Sequence, residues 1–166
     1  MKQAAGILLY RKATGDVEVL LVHPGGPFWT GKDEAAWSVP KGEPEPGEDL
    51  LVAAEREFLE ETGAAVPTGE RIDLGEIRQA SGKRVQVWAV EGDLDASACR
   101  SNHCEIEWPR GSGRSILVPE VDRAEWYGLE VARRKLVLAQ AALVDRLVKA
   151  LAEAPGAGQV DAPGRR

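Results

Sequence analysis

Two rhythms of apolar residues run along the chain. Residues 4 to 10 (Ala-Ala-Gly-Ile-Leu-Leu-Tyr) form an unbroken apolar run, the pattern of a strand buried on both faces. Thr14-Gly15-Asp16 supplies a turn, and Val17 to Val22 reads as the hairpin partner. His23 to Lys32, with its prolines and glycines, reads as a loop, and Trp37-Ser38-Val39 as a short extended piece ending at Pro40. From Glu48 to Thr62 the apolar spacing lengthens to that of a helix, which Gly63 stops. Ile72 to Gln79 and Lys83 to Glu91 read as two strands around a Ser81-Gly82 turn. Residues 93 to 115 are polar and read as a long loop or insertion, and Glu125-Trp126-Tyr127 as a late strand. Leu136, Ala139, Leu143 and Leu147 lie near helical spacing, so 129 to 151 carries one or two amphipathic helices. That last helix could support a homodimer or could cover the sheet of a monomer. Residues 1–153 are expected to form a single domain, and 154–166, rich in Gly, Ala and Pro, a disordered tail.

Composition narrows the classes. With 166 residues the chain can bury a real core, and 43% hydrophobic with 29% charged residues is ordinary for a globular protein. No segment stays apolar for the length of a membrane span, and the N-terminus lacks a secretory h-region, so a cytoplasmic protein is expected. A net charge of −6 argues against duplex nucleic acid as partner. It leaves small phosphorylated substrates open, because a metal ion inverts the charge of an acidic pocket. The two cysteines, Cys99 and Cys104, do not make a disulfide framework. With His103 they would give zinc only three clustered ligands at unfamiliar spacing.

The chemistry concentrates in the helix. A helix advances about 100° per residue, so Leu51, Ala54 and Phe58 share a core-facing arc. Glu57, Glu60 and Glu61 share an adjacent one. Like charges at this spacing destabilise a helix by a few tenths of a kcal/mol each, and its C-terminal dipole makes matters worse. A hard cation such as Mg²⁺ or Mn²⁺ would offset them, and Arg56 can pair with Glu60 at i,i+4. A solvated charged face is the bland alternative. Ahead of the helix, Gly42 and Gly47 allow backbone to approach a bound group, and Glu48 would open the helix where a carboxylate suits the dipole.

Taken together, Gly42, five residues, Glu48, seven residues, then Arg56-Glu57-Phe58-Leu59-Glu60-Glu61-Thr62-Gly63-Ala64 resembles the Nudix box over 23 residues. The last slot alone departs, with Ala64 where the family usually has a larger aliphatic residue. The resemblance implies an α/β (α+β) fold, an α/β/α sandwich with a mixed central sheet. It implies a Mg²⁺- or Mn²⁺-dependent pyrophosphohydrolase acting on phosphorus-containing acid anhydrides. By position, Glu57 and Glu61 would be the principal metal ligands, Glu60 an assisting ligand, and the Gly42 carbonyl a further one. Arg56 would hold the carboxylates, and Glu48, Gly47 and Gly63 would be structural. The family often recruits one more acid from outside the box as ligand or base. Glu120 is the candidate here, with Glu105, Glu107 and Asp122 as competitors.

The flanks bear on the substrate. Trp37-Ser38-Val39-Pro40-Lys41-Gly42 with Glu45-Pro46-Gly47-Glu48 is similar to the version in diadenosine polyphosphate and diphosphoinositol phosphate hydrolases. The whole chain also resembles a bacterial subgroup of NTP pyrophosphohydrolase-like proteins. Lys41 would then meet a phosphate chain. Trp29 and Trp108, in loops, are candidates for stacking on a base, and Arg84 for meeting phosphate, as are Lys83, Arg110 and Arg114. An NTP or a dinucleoside polyphosphate is the expected substrate. A diphosphoinositol or isoprenoid diphosphate, or a nucleotide-sensing module without catalysis, are the alternatives.

Overall fold

The computed structural model describes residues 2–153, so the tail expected at 154–166 lies outside the described residues. A mixed sheet has the order β4-β5-β1-β2-β8, with β3 paired to β1. Its strands are β1 (Gln3–Ala13), β2 (Asp16–Pro24), β3 (Lys41–Gly42), β4 (Ile72–Arg78), β5 (Arg84–Glu91) and β8 (Val121–Gly128). A separate hairpin is formed by β6 (His103–Glu107) and β7 (Ser115–Pro119). The helices are α1 (Leu50–Thr62), α2 (Leu129–Lys135) and α3 (Ala142–Glu153), with single 3₁₀ turns at Ala96–Ala98 and Leu138–Ala141. The β1–β5 pair is parallel and the others antiparallel.

The unbroken apolar run of β1 is explained by what covers it. Side chains alternate across a strand, so Ala4, Leu8 and Tyr10 join one core and Ala5, Ile7 and Leu9 the other. The first core is closed by Ala132 and Leu136 at α2 and by Leu143, Val144 and Leu147 of α3. The second is closed by Ala53, Ala54 and Phe58 of α1. Burying Phe58 fully is worth about 3 kcal/mol and holds α1 against the sheet. Helix α3 covers the sheet, one of the two roles expected for it. The result is the α/β/α sandwich with a mixed sheet.

The segment before the acidic helix is wedged between β1 and β2. Val22 and Ser38 exchange backbone hydrogen bonds of 2.8 and 2.9 Å, and Ile7 N–H donates to the Pro40 carbonyl at 3.1 Å. β3 then pairs with β1 through Ala5–Gly42 and Gly6–Lys41. Gly6 permits this closeness, since a Cβ there would lie 2.7 Å from the Pro40 oxygen. Trp37, fully buried and edge-on to His23 and Tyr127, anchors the wedge from below.

Two expectations need correction. Helix α1 starts at Leu50 rather than Glu48, and Asp49 is its cap, accepting from Leu51 N at 3.1 Å and Val52 N at 3.3 Å. Glu48 turns away toward Arg56 instead. The polar stretch 93 to 115 is no featureless loop: it holds the 3₁₀ turn, all of β6 and the start of β7. At the other end of α1, Gly63 has φ 80° and its N–H closes on Leu59 O at 2.8 Å, the helix stop expected of it.

Candidate active site

Helix α1, strand β3 and the turn between β7 and β8 meet at one end of a cavity of about 970 Å³. One carboxylate oxygen each from Glu57, Glu61 and Glu120 falls within 4.8 Å of the others. Glu57 and Glu61 are one turn apart on α1 and are only 8% and 6% exposed. Packing Phe58 and Ala54 into the second core rolls this face of the helix under β3. Glu120 reaches the same point from 59 residues farther along than Glu61. Its backbone fixes it: Glu120 N–H donates to Asn102 O at 2.9 Å, and its carbonyl accepts from Gly25 N at 3.1 Å. Asn102 N–H in turn donates to Glu60 O at 2.8 Å, tying that turn to the end of α1.

The electrostatics are those of carboxylates clustered and buried together. Burial, then the nearby Glu60 carboxylate, raises the Glu57 pKa, against the opposing effect of Arg56. Burial pushes Glu61 up to about 8; Lys41 opposes that, while Glu120 and Glu57 reinforce it. Among the hydrogen bonds of the described residues, Glu61 receives only the Lys41 N–H, at 3.3 Å. A hard cation with oxygen preference fits this donor set, since it would satisfy three converging carboxylates at once. Gly42 leaves room for it: a Cβ at that position would overlap the Glu57 carboxylate.

Arg56 organises the surrounding acids. Its Nε and Nη2 grip Glu48 at 2.9 Å each, a forked pair. Its Nη1 donates to both Glu57 and Glu60 at 3.0 Å, and Nη2 also reaches the Glu43 carbonyl at 3.1 Å. The Arg56 guanidinium, with the Glu45 N–H at 2.9 Å, holds the Glu48 carboxyl down to about 2. Arg56 therefore engages three carboxylates, Glu60 among them. Glu60 sits on the Arg56 side of the helix, outside the group of three converging carboxylates. Gly47 has φ 79° and open space around it, so it serves the turn rather than close approach to a ligand.

The remaining candidates separate cleanly. Lys41 and Trp29 line the cavity. Arg84 does not: strand alternation sends it to the other side of β5, 4.0 Å from Glu76, while its neighbour Lys83 faces the cavity and pairs with Glu43 at 3.1 Å. Trp108 is half exposed on the β6–β7 hairpin, away from the cavity lining, because that hairpin stands outside the main sheet. Of the competitors to Glu120, Asp122 binds His23 Nδ1 at 3.0 Å and Glu107 accepts from Gly113 N at 2.7 Å. Sequence reasoning missed Gln79, Leu138 and Gln140, which also line the cavity. They carry no spacing signal, being brought together from the residue after β4 and the second 3₁₀ turn. No described helix is long and apolar enough to cross a membrane.

Comparison with known proteins agrees with this architecture. The NUDIX domain family matches residues 1–147. The asymmetrical bis(5′-nucleosyl)-tetraphosphatase of Caenorhabditis elegans is 42% identical over 119 residues, covering 63% of this chain and 80% of that protein. An RNA pyrophosphohydrolase of Caulobacter vibrioides is 45% identical over 53 residues, 29% of this chain; the match spans 31% of that relative's length. Among solved structures, the C. elegans Ap4A hydrolase binary complex superposes with a TM-score of 0.61 and 25% identity, over 92% of this chain and 98% of that one. The NUDIX domain of Shewanella oneidensis NrtR, complexed with ADP ribose, gives 0.64 at 19% identity over 91% and 88%, a likeness of fold. With a family match running through both cores and across the acidic helix, the chain belongs to the Nudix hydrolase family.

Proposed function

We propose that residues 1–153 act as one divalent-metal-dependent hydrolase unit that cuts a diphosphate linkage in a nucleoside polyphosphate, either an NTP or a dinucleoside polyphosphate. The observation that carries this reading is the convergence of Glu57, Glu61 and Glu120 at the end of a cavity that also holds Lys41, Lys83 and Trp29. The nematode tetraphosphatase, similar over most of its length, favours a nucleotide polyphosphate over other diphosphates.

Each group has a part in this scheme. Glu57, Glu61 and Glu120 would hold Mg²⁺ or Mn²⁺, with the Gly42 carbonyl beside them. A bound cation supplies the charge neutralisation that lets a nucleophile approach a diphosphate. Glu120 is the least buried of the three acids and arrives from a turn rather than from α1. It is therefore the group assigned to orient the attacking water and accept its proton. Arg56 fixes the rotamer of Glu57 and keeps Glu60 and Glu48 from competing for the cation. Lys41 and Lys83 face the same cavity and would meet phosphate oxygens as point charges. Trp29 offers a flat apolar face to a base.

The test is hydrolysis of a panel of NTPs, dinucleoside polyphosphates, a diphosphoinositol phosphate and 5′-triphosphorylated RNA, with Mg²⁺ or Mn²⁺ and product identification. Cleavage of a nucleoside polyphosphate at an anhydride, lost in chelator and in Glu57→Gln, is the expected result. A panel left intact by well-folded protein would overturn the reading.

A further inference from the structure

In the same cavity as the acids, one amide is held in a fixed orientation by a buried relay. Gln140 is fully buried. The backbone N–H of Val39 donates to its Oε1 at 2.9 Å. An N–H can only donate, so the Gln140 atom facing Val39 is its carbonyl oxygen and its other end is the NH₂. That NH₂ donates to Ser38 Oγ and to Gln79 Oε1, each at 3.0 Å. Ser38 is turned to accept because its own hydroxyl proton goes to the Val39 carbonyl at 2.6 Å. Gln79 must therefore present its carbonyl to Gln140 and its Nε2H₂ away from it. Among the described residues no acceptor meets that NH₂, and Gln79 lines the cavity. The same cavity carries the apolar surfaces of Trp29, Val137, Ala139 and the strongly exposed Leu138. A mostly apolar cavity with one oriented donor pair has the character of a site that reads one edge of a ring.

We propose that Gln79 determines base preference, its oriented Nε2H₂ donating to a ring carbonyl, so that the cavity favours keto-edged bases over amino-edged ones. Gln140 is the positioning residue that prevents the amide from turning over. The inference rests on the nucleotide reading above and names the part of the substrate that reading leaves open. A donor facing the amino group of adenine or cytosine has no partner, whereas the matching oxygen of hypoxanthine or uracil accepts it. Sites built to hydrogen-bond one group discriminate strongly, because the wrong partner leaves a desolvated donor unpaired.

Gln79→Glu keeps the size of the side chain and the acceptor for Gln140, and replaces the outward donor with an acceptor. Calorimetric binding of IMP against AMP, and of UMP against CMP, in Mg²⁺ reads the preference. None of the four carries an anhydride, so the measurement is independent of turnover. The wild type is expected to bind the keto member of each pair about tenfold more tightly, and Gln79→Glu to reverse the order. The added negative charge weakens both members alike and cancels in the ratio. Gln140→Leu is expected to bring the ratio toward one, a change that loss of stability alone does not produce. A ratio untouched by Gln79→Glu, or no binding of any of the four, overturns the inference. Hydrolysis of the polyphosphate panel separately judges the catalytic reading: cleavage with an unaltered base ratio would sink this inference alone, and base discrimination with no cleavage would sink only the catalysis.

Discussion

Gly42 and Glu57 occupy one another's space so closely that any side chain on residue 42 would collide with the carboxylate. The pairing of Gly42 with Ala5 holds the backbone there, so the carboxylate is the part that must move. Gly42→Ala is therefore expected to displace Glu57 by about an ångström and to lower turnover on the order of 100-fold. Initial rates with titrated Mg²⁺ would show it; a rate within twofold of wild type would contradict the close approach.

The buried acids set the pH dependence of the metal-free protein. Glu61 is raised to about 8 from an ordinary 4.5, and Glu57 is raised in the same direction. The folded form therefore holds these protons more tightly than the unfolded form. Its stability falls as pH climbs from about 4.5 through about 8. A cation needs the carboxylates ionised, so stabilisation by Mg²⁺ grows over the same interval. Thermal melts across this range, with Mg²⁺ and with chelator, measure both trends. Glu61→Gln should flatten the metal-free curve, and an unchanged slope would refute the assignment.

Arg56→Lys preserves charge and removes the fork. A single ammonium cannot grip both oxygens of Glu48 and still reach Glu57 and Glu60. Turnover or Mg²⁺ affinity is expected to fall about 10- to 100-fold, the usual effect of losing a group that orients a ligand. Glu48, whose carboxyl is held down to about 2 by this pair, should lose that advantage in the variant. Its contribution to stability is present above about 4.5 and disappears as pH falls toward about 2, so acid melts should differ least at the lowest pH.

Asp49 caps α1 and touches none of the three converging acids. Asp49→Ala should cost about 1 kcal/mol in denaturant unfolding while leaving the rate per folded molecule near wild type. A rate loss larger than the stability loss would mean that the cap also sets the site.

The acidic helix was legible because its signals are local. Phe58 and Ala54 recur at helical spacing, Gly63 marks the stop, and Glu57 and Glu61 follow from that register. The start of the helix was ambiguous in sequence, since Glu48 and Asp49 are adjacent carboxylates and only folding decides which one caps and which one meets Arg56. Strands β6 and β7 escaped notice for a different reason. β6 does alternate, with Cys104 and Ile106 half-buried between exposed neighbours, but none of its five positions is buried, and β7 leaves Ser115, Ile116 and Leu117 exposed in a row. Lys83 and Arg84 looked equivalent until register placed one toward the cavity and its neighbour on the opposite face. The Gln79–Gln140 contact joins positions 61 residues apart, and no pattern within either segment announces it.

The β6–β7 hairpin leaves the fold just after Asn102 and comes back at Glu120, where the two residues share a backbone hydrogen bond. The excursion thus closes on itself at its base. What lies beyond that closure has little mechanical hold on the acid at its foot, so the tip around Arg110 to Gly113 is a natural graft point. Lengthening, shortening or exchanging that tip would redecorate one rim of the molecule while the spacing of Glu120 from Glu57 and Glu61 stays as it is.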